Sequence, residues 1–154
     1  MNKNKHKKVL QKLIATSFPK LKGRKIYLIC MNLGKFSGGV FWLLPNIRLI
    51  FVHPKTEKWN EKLLTGLLAH ELCHFEITKK YGWTKTLFFE ILYWIIPNIR
   101  RKNEKETDGL TIKKGYGREL YEVSKKRTYK NTKTESYYLS SKEIRKYAES
   151  IKKW

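Results

Sequence analysis

His70 and His74 stand four residues apart, and Glu71 follows the first directly. Residues at that spacing share one face of an α-helix, so both imidazoles can reach a single metal ion. Zinc accepts such ligands, and Glu71, one step round the helix, can take a proton from a zinc-bound water. The pentapeptide His70-Glu71-Leu72-Cys73-His74 therefore predicts the core of a zinc-dependent hydrolase. A catalytic zinc takes three protein ligands and keeps one position for water. The third ligand must come from elsewhere in the chain.

The remaining histidines, His6 in a Lys-rich terminus and His53 before a proline, read as ordinary surface or loop residues. Cys73 lies inside the pentapeptide and reads as a core side chain. Glu104 is the better ligand. It follows His74 by 30 positions, which leaves room for an apolar helix and a return to the site. Asp108, the only aspartate in the chain, falls four residues later on the same helical face. A carboxylate there can accept the second ring N–H of a zinc histidine and fix its tautomer. Glu106 is the alternative ligand, on another face of the same helix.

These residues need elements to hold them. Residues 60–81 carry Leu63, Leu64, Leu67, Leu68, Phe75 and Ile77 at helical spacing, so the pentapeptide sits in a long helix with Gly82 beyond its end. Residues 84–96 form a second, apolar helix stopped by Pro97. Residues 100–113 form a polar helix bearing Glu104 and Asp108, and residues 118–124 continue helically beyond Gly115 and Gly117. Residues 25–31 read as a strand and residues 32–39 as a glycine-bearing loop or bulge. Runs 40–44 and 47–53 flank Pro45-Asn46 and read as a hairpin. A basic amphipathic helix precedes the strand within about residues 1–20. A tail helix spans about 136–154, with Ser140 or Ser141 as its cap and Glu143 placed for a capping box. The connection 128–135 reads as polar and loose. The expected fold is α+β, one domain over residues 1–154, with a small antiparallel sheet on a mainly helical body.

Charge is the unusual feature of the composition. The chain of 154 residues holds 34 Lys+Arg against 13 Asp+Glu, a net charge of +21. Residues 1–25 carry +9, residues 26–110 carry +4 and residues 111–154 carry +8. The centre around the pentapeptide is thus the most balanced part. Such basicity can serve nucleic acid, anionic lipid or acidic partners, or simply form a lysine-rich solvated surface. No RRM-like aromatic signature, KH loop or Cys-pair zinc knuckle accompanies it, so nucleic acid is disfavoured. Two cysteines make no disulfide framework and fit a reducing cytosol. No signal peptide is visible. The most apolar run, residues 87–96, contains Glu90 and is roughly half the length that spans a bilayer. It reads as a buried helix or an interfacial segment, leaving an anionic membrane surface open as a partner alongside a peptide substrate.

With both motifs in hand, the chain resembles the gluzincin zinc metallopeptidases. The matching segments are residues 67–74 and Glu104-Lys105-Glu106-Thr107-Asp108. Their spacing is similar to the HExxH and ExxxD pattern of the CAAX prenyl endopeptidase group, which is largely membrane-embedded. Without a spanning helix, this chain looks more like the small soluble relatives called minigluzincins or selecase-like peptidases. The second motif has Thr107 where the commoner form has alanine.

The resemblance implies that His70, His74 and Glu104 bind Zn2+, that Glu71 is the general base and acid, and that Asp108 orients a ligand. It also implies an edge strand of the hairpin that holds an extended peptide, and a terminal segment able to make the enzyme latent. The alternative to latency is a tail helix packed on the core through Ile144, Tyr147, Ala148 and Ile151. Tyr81, Arg100, Tyr116 and Arg118 are the candidate donors to the developing oxyanion. The expected protein is a cytoplasmic zinc endopeptidase, monomeric or weakly oligomeric. The alternative is a nucleic-acid- or membrane-surface-binding protein with a structural or inactive zinc site.

Overall fold

The computed structural model describes residues 3–44, 46–79, 82–127 and 137–154. Pro45 of the hairpin turn, Tyr81 and the connection 128–135 lie outside them. The fold is α+β. Helix α1 (Lys3–Thr16) is followed by β1 (Lys25–Cys30), β2 (Gly38–Leu44) and β3 (Ile47–Val52). Then come α2 (Glu61–Lys79), α3 (Trp83–Ile95), α4 (Pro97–Thr111), α5 (Gly117–Lys126) and α6 (Ser141–Ser150).

The sheet is mixed, a correction to the antiparallel sheet expected from sequence. Its order is β1-β3-β2, with β2 and β3 antiparallel and β1 parallel to β3. Apolar alternation fixes which face of a strand is buried, but not which neighbour it pairs with. Here β1 takes the far side of β3 and leaves β2 as a free edge. Strand β2 also begins at Gly38, inside the span read as a loop. A Cβ on Gly38 would lie 2.4 Å from Glu71 Oε1 and 2.9 Å from Leu67 Cδ1, so a side chain there would displace both.

Helix α2 is the axis of the molecule. Asn60 Oδ1 accepts the Leu63 N–H at its first turn. Leu64, Leu68, Leu72 and Phe75 are fully buried between α1, the sheet and α5. Gly66 lets α5 approach, since a Cβ there would meet the Glu119 backbone at 2.6 Å. Pro97 opens α4, where its missing N–H has no partner to lose. Gly115, at φ +92°, turns the chain from α4 into α5.

Ser140 and Glu143 form the expected capping box at the start of α6. Ile144 and Ala148 of that helix are buried against Ile112 and Leu120, so the tail helix is part of the fold.

Two buried polar side chains depart from expectation. His6, read as a surface residue, is buried and its Nε2 lies 3.0 Å from Thr56 Oγ1, tying α1 to the turn before α2. Arg48 on β3 is buried with its guanidinium 4.0 Å from the Trp42 ring centroid. Burial, with Arg24 nearby, lowers its pKa to about 10. The aromatic face takes the place a carboxylate would usually hold.

Candidate metal centre

The long helix and the Glu104 helix cross so that three side chains converge. His70 Nε2 lies 3.1 Å from Glu104 Oε2 and 3.2 Å from His74 Nε2, and His74 Nε2 lies 3.5 Å from Glu104 Oε2. All three residues are buried and together can hold a metal ion. The expected first motif and Glu104 are thus brought together. Glu106 is exposed on another face of α4 and stays outside the cluster.

The outer nitrogens of both histidines are engaged. Asp108 Oδ1 sits 2.9 Å from His70 Nδ1, within ion-pair distance. Thr107 Oγ1 donates to the Asn103 carbonyl at 2.8 Å and lies 3.2 Å from His74 Nδ1. Its own proton being committed, Thr107 can only accept there, so His74 carries its hydrogen on Nδ1. Both Nε2 atoms then face each other and a carboxylate oxygen.

Two ring nitrogens and a carboxylate oxygen converging this closely form a group that can hold a cation, whether a proton or a metal ion. Ligand atoms each about 2.1 Å from a tetrahedral zinc would lie about 3.4 Å apart, close to what is found here. The electrostatics agree. Burial pulls the His70 pKa down, but hydrogen bonds and charge from Asp108 and Glu104 outweigh it and raise it to about 10. Burial opposes ionisation of Glu104, yet His74 and His70 hold its pKa well below the usual carboxylate range. Asp108 is likewise held down against burial, by Arg127 and His70. The pocket favours positive charge at its centre.

Glu71 shares a cavity of about 400 Å3 with the cluster. Burial raises its pKa, against the pull of His70 and His74, and its Oε2 has no hydrogen-bond partner among the described residues. A desolvated carboxyl of that kind is poised to exchange a proton. Beside it runs the β2 edge. The His53 N–H bonds to the Ser37 carbonyl, which sets the alternation of the β2–β3 ladder. Gly38, Val40 and Trp42 therefore turn their backbone groups away from β3. The Trp42 N–H is taken by Glu90 Oε1 from α3, at 3.2 Å.

Several residues that sequence reasoning missed complete the site. Tyr93 of α3 donates to Glu104 Oε1. Arg127 Nη2 lies 3.4 Å from Asp108 Oδ1, and the Leu139 N–H bonds to Asp108 Oδ2 at 2.9 Å. The Arg127 guanidinium stacks 3.9 Å from the Tyr138 ring centroid, and that ring stands 6.0 Å from His70. Residues 137–139 thus reach the centre from far along the chain. Tyrosines and an arginine outside any motif give no sequence signal of this role.

Of the expected oxyanion donors, Arg100 lines the cavity, amid the rings of Phe36, Tyr93, Trp94 and Tyr137. Tyr116 instead bonds Ser17, and Arg118 lies near Trp154. Cys73 is buried, and burial pushes its thiol up to about 12, so it is a core side chain as expected.

No protein-family model, curated protein or solved structure matches this chain.

Proposed function

We propose that this protein is a zinc-dependent peptidase of the gluzincin type. One observation carries the reading: two histidine Nε2 atoms and a carboxylate oxygen, at tetrahedral spacing, share a cavity with buried Glu71, whose Oε2 has no hydrogen-bond partner among the described residues. A zinc ion held by His70, His74 and Glu104 would polarise a substrate carbonyl and acidify a water.

The chain's own residues supply the rest. Glu71 accepts the proton of the attacking water and returns it to the leaving amine. Its raised pKa suits both halves of that task. Gly38 and Val40 offer free backbone groups on the β2 edge, which can pair with an extended peptide. Gly38 also lets that edge approach Glu71, whose carboxylate a side chain there would displace. The Arg100 guanidinium, lining the cavity, is the donor placed to face a developing oxyanion. Asp108 and Thr107 hold the imidazoles in the tautomers that ligation needs.

Metal analysis with a peptide-library cleavage assay tests this. Purified protein should hold close to one zinc per chain and cleave peptides. Glu71→Gln should keep the zinc and lose cleavage by about 10²–10⁴-fold. A Glu71→Gln variant that cleaves like the wild type would sink the mechanism. Protein that takes up no zinc would sink the centre itself.

A further inference from the structure

Helix α3 is apolar on both sides, as a helix buried all round would be. Its inner side, with Phe89, Glu90 and Tyr93, lines the metal-site cavity. Its outer side is bare. Phe88, Ile91 and Ile95 follow helical spacing and are 65%, 57% and 68% exposed.

The sheet repeats the pattern. One face packs on α2. On the other, the register aligns Tyr27, Leu49 and Phe41 across three strands, with Ile29 and Phe51 in the next row. Tyr27, Ile29, Phe41 and Leu43 of that face are exposed. Sheets with one solvated face ordinarily carry polar side chains there. The two bare surfaces meet at the cavity, which Phe41, Phe51 and Trp94 all line.

Charge identifies what would cover them. Residues 1–56 hold twelve Lys/Arg and no acidic residue, so the whole sheet lies in a stretch without a carboxylate. Residues 79–102 hold six Lys/Arg, and Glu90, the single acid, turns inward. Lys25, Lys35, Lys79, Lys85, Arg101 and Lys102 are exposed on or beside these elements.

Apolar side chains on the contact face with cations on the same elements describe an element lying in an anionic lipid interface. Nucleic acid calls for the reverse, with cations lining the contact. A second copy would bring another +21 against this one, which opposes self-association. Among the described residues no helix is long and apolar enough to cross a membrane, so contact would be from one side.

We propose that the outer faces of α3 and the sheet form one docking surface for an anionic membrane. This holds whether or not the metal centre is catalytic.

Flotation of the full-length, zinc-loaded protein with vesicles tests it. The vesicles are pure phosphatidylcholine, or phosphatidylcholine with about one-third phosphatidylglycerol. Binding should appear on the anionic vesicles, fall at high salt and be at least tenfold weaker on the neutral ones. The triple variant Phe88→Gln, Ile91→Gln, Ile95→Gln keeps the net charge and should bind the anionic vesicles about tenfold or more weakly. Tyr27→Gln with Ile29→Gln should weaken binding in the same direction, which guards against a fold defect confined to α3.

Wild-type protein that stays off anionic vesicles overturns the proposal. So does vesicle binding unchanged in both variants, which would leave charge alone as the cause. Sedimentation showing a dimer that the triple variant dissociates, with no vesicle binding, assigns the face to a second copy and overturns it too.

Discussion

The α2–α4 crossing and the α3–sheet surface invert the usual partition in opposite ways. At the crossing, two histidines, two glutamates and an aspartate are buried with scarcely any solvent contact. On the surface, phenylalanine and isoleucine side chains stand more than half exposed. Burying charge costs free energy unless a partner offsets it, and leaving large apolar area in water forgoes stabilisation. The exposed apolar area does nothing for the isolated fold, and the buried charges offset their burial only through one another. The buried group can hold a cation, and the surface is the one proposed above to meet an apolar, anionic interface.

The buried cluster depends most on Glu104. Glu104→Ala removes one of three converging ligand atoms and leaves His70 facing Asp108 without its second carboxylate. Zinc occupancy should fall from near one per chain to background. Breaking a buried ion pair of this kind also costs about 3–5 kcal/mol. Glu106→Ala, on the exposed face, should leave zinc unchanged. Metal content and thermal melts of the two variants decide it; equal zinc in both would return the third ligand to an open question.

A smaller effect tests whether the buried cluster is tuned residue by residue. Thr107→Val keeps the volume of the side chain but leaves the His74 Nδ1–H without its acceptor. Zinc affinity, read by chelator competition, should drop about 10–100-fold, and Thr107→Ser should restore it. An unchanged affinity in Thr107→Val would reduce Thr107 to a packing residue.

How much of this was legible in the sequence follows from which interactions are local. His70, Glu71 and His74 lie within one helical turn, so spacing alone places them. Glu104 and Asp108 were readable because they too sit four apart on one helix, and the sheet's strands were readable from their apolar runs. The Gly38 start of β2 was hidden, because its reason is a carboxylate 33 residues away on another element. The parallel pairing of β1 was hidden because both edges of a hairpin accept a third strand. Tyr93, Arg127, Tyr138 and Leu139 act on the centre only through tertiary contacts, and the buried setting of His6 depends on Thr56. The apolar run at α3 was visible, but which side of it would face water was not.

Glu90 lies on the boundary between the two regions, and its titration sharpens the contrast. It reaches from α3 to the β2 edge, accepts the Trp42 N–H and leaves Oε2 unpaired among the described residues. Burial raises its pKa to about 7 from an ordinary 4.5, with the Trp42 N–H opposing. A carboxyl raised in this way binds its proton more tightly folded than unfolded. Its contribution to stability is present in full below about pH 4.5 and is lost as pH rises through 7. The side chain is partly exposed, so solvent screening reduces the loss to roughly 1–2 kcal/mol. Glu90→Gln keeps an acceptor for Trp42 and cannot ionise. Its melting temperature should therefore fall less than that of the wild type between pH 5 and pH 8, by several degrees. Parallel pH profiles would show Glu90 to be fully solvated in solution, and would place the border of the buried polar region inside the cavity rather than at α3.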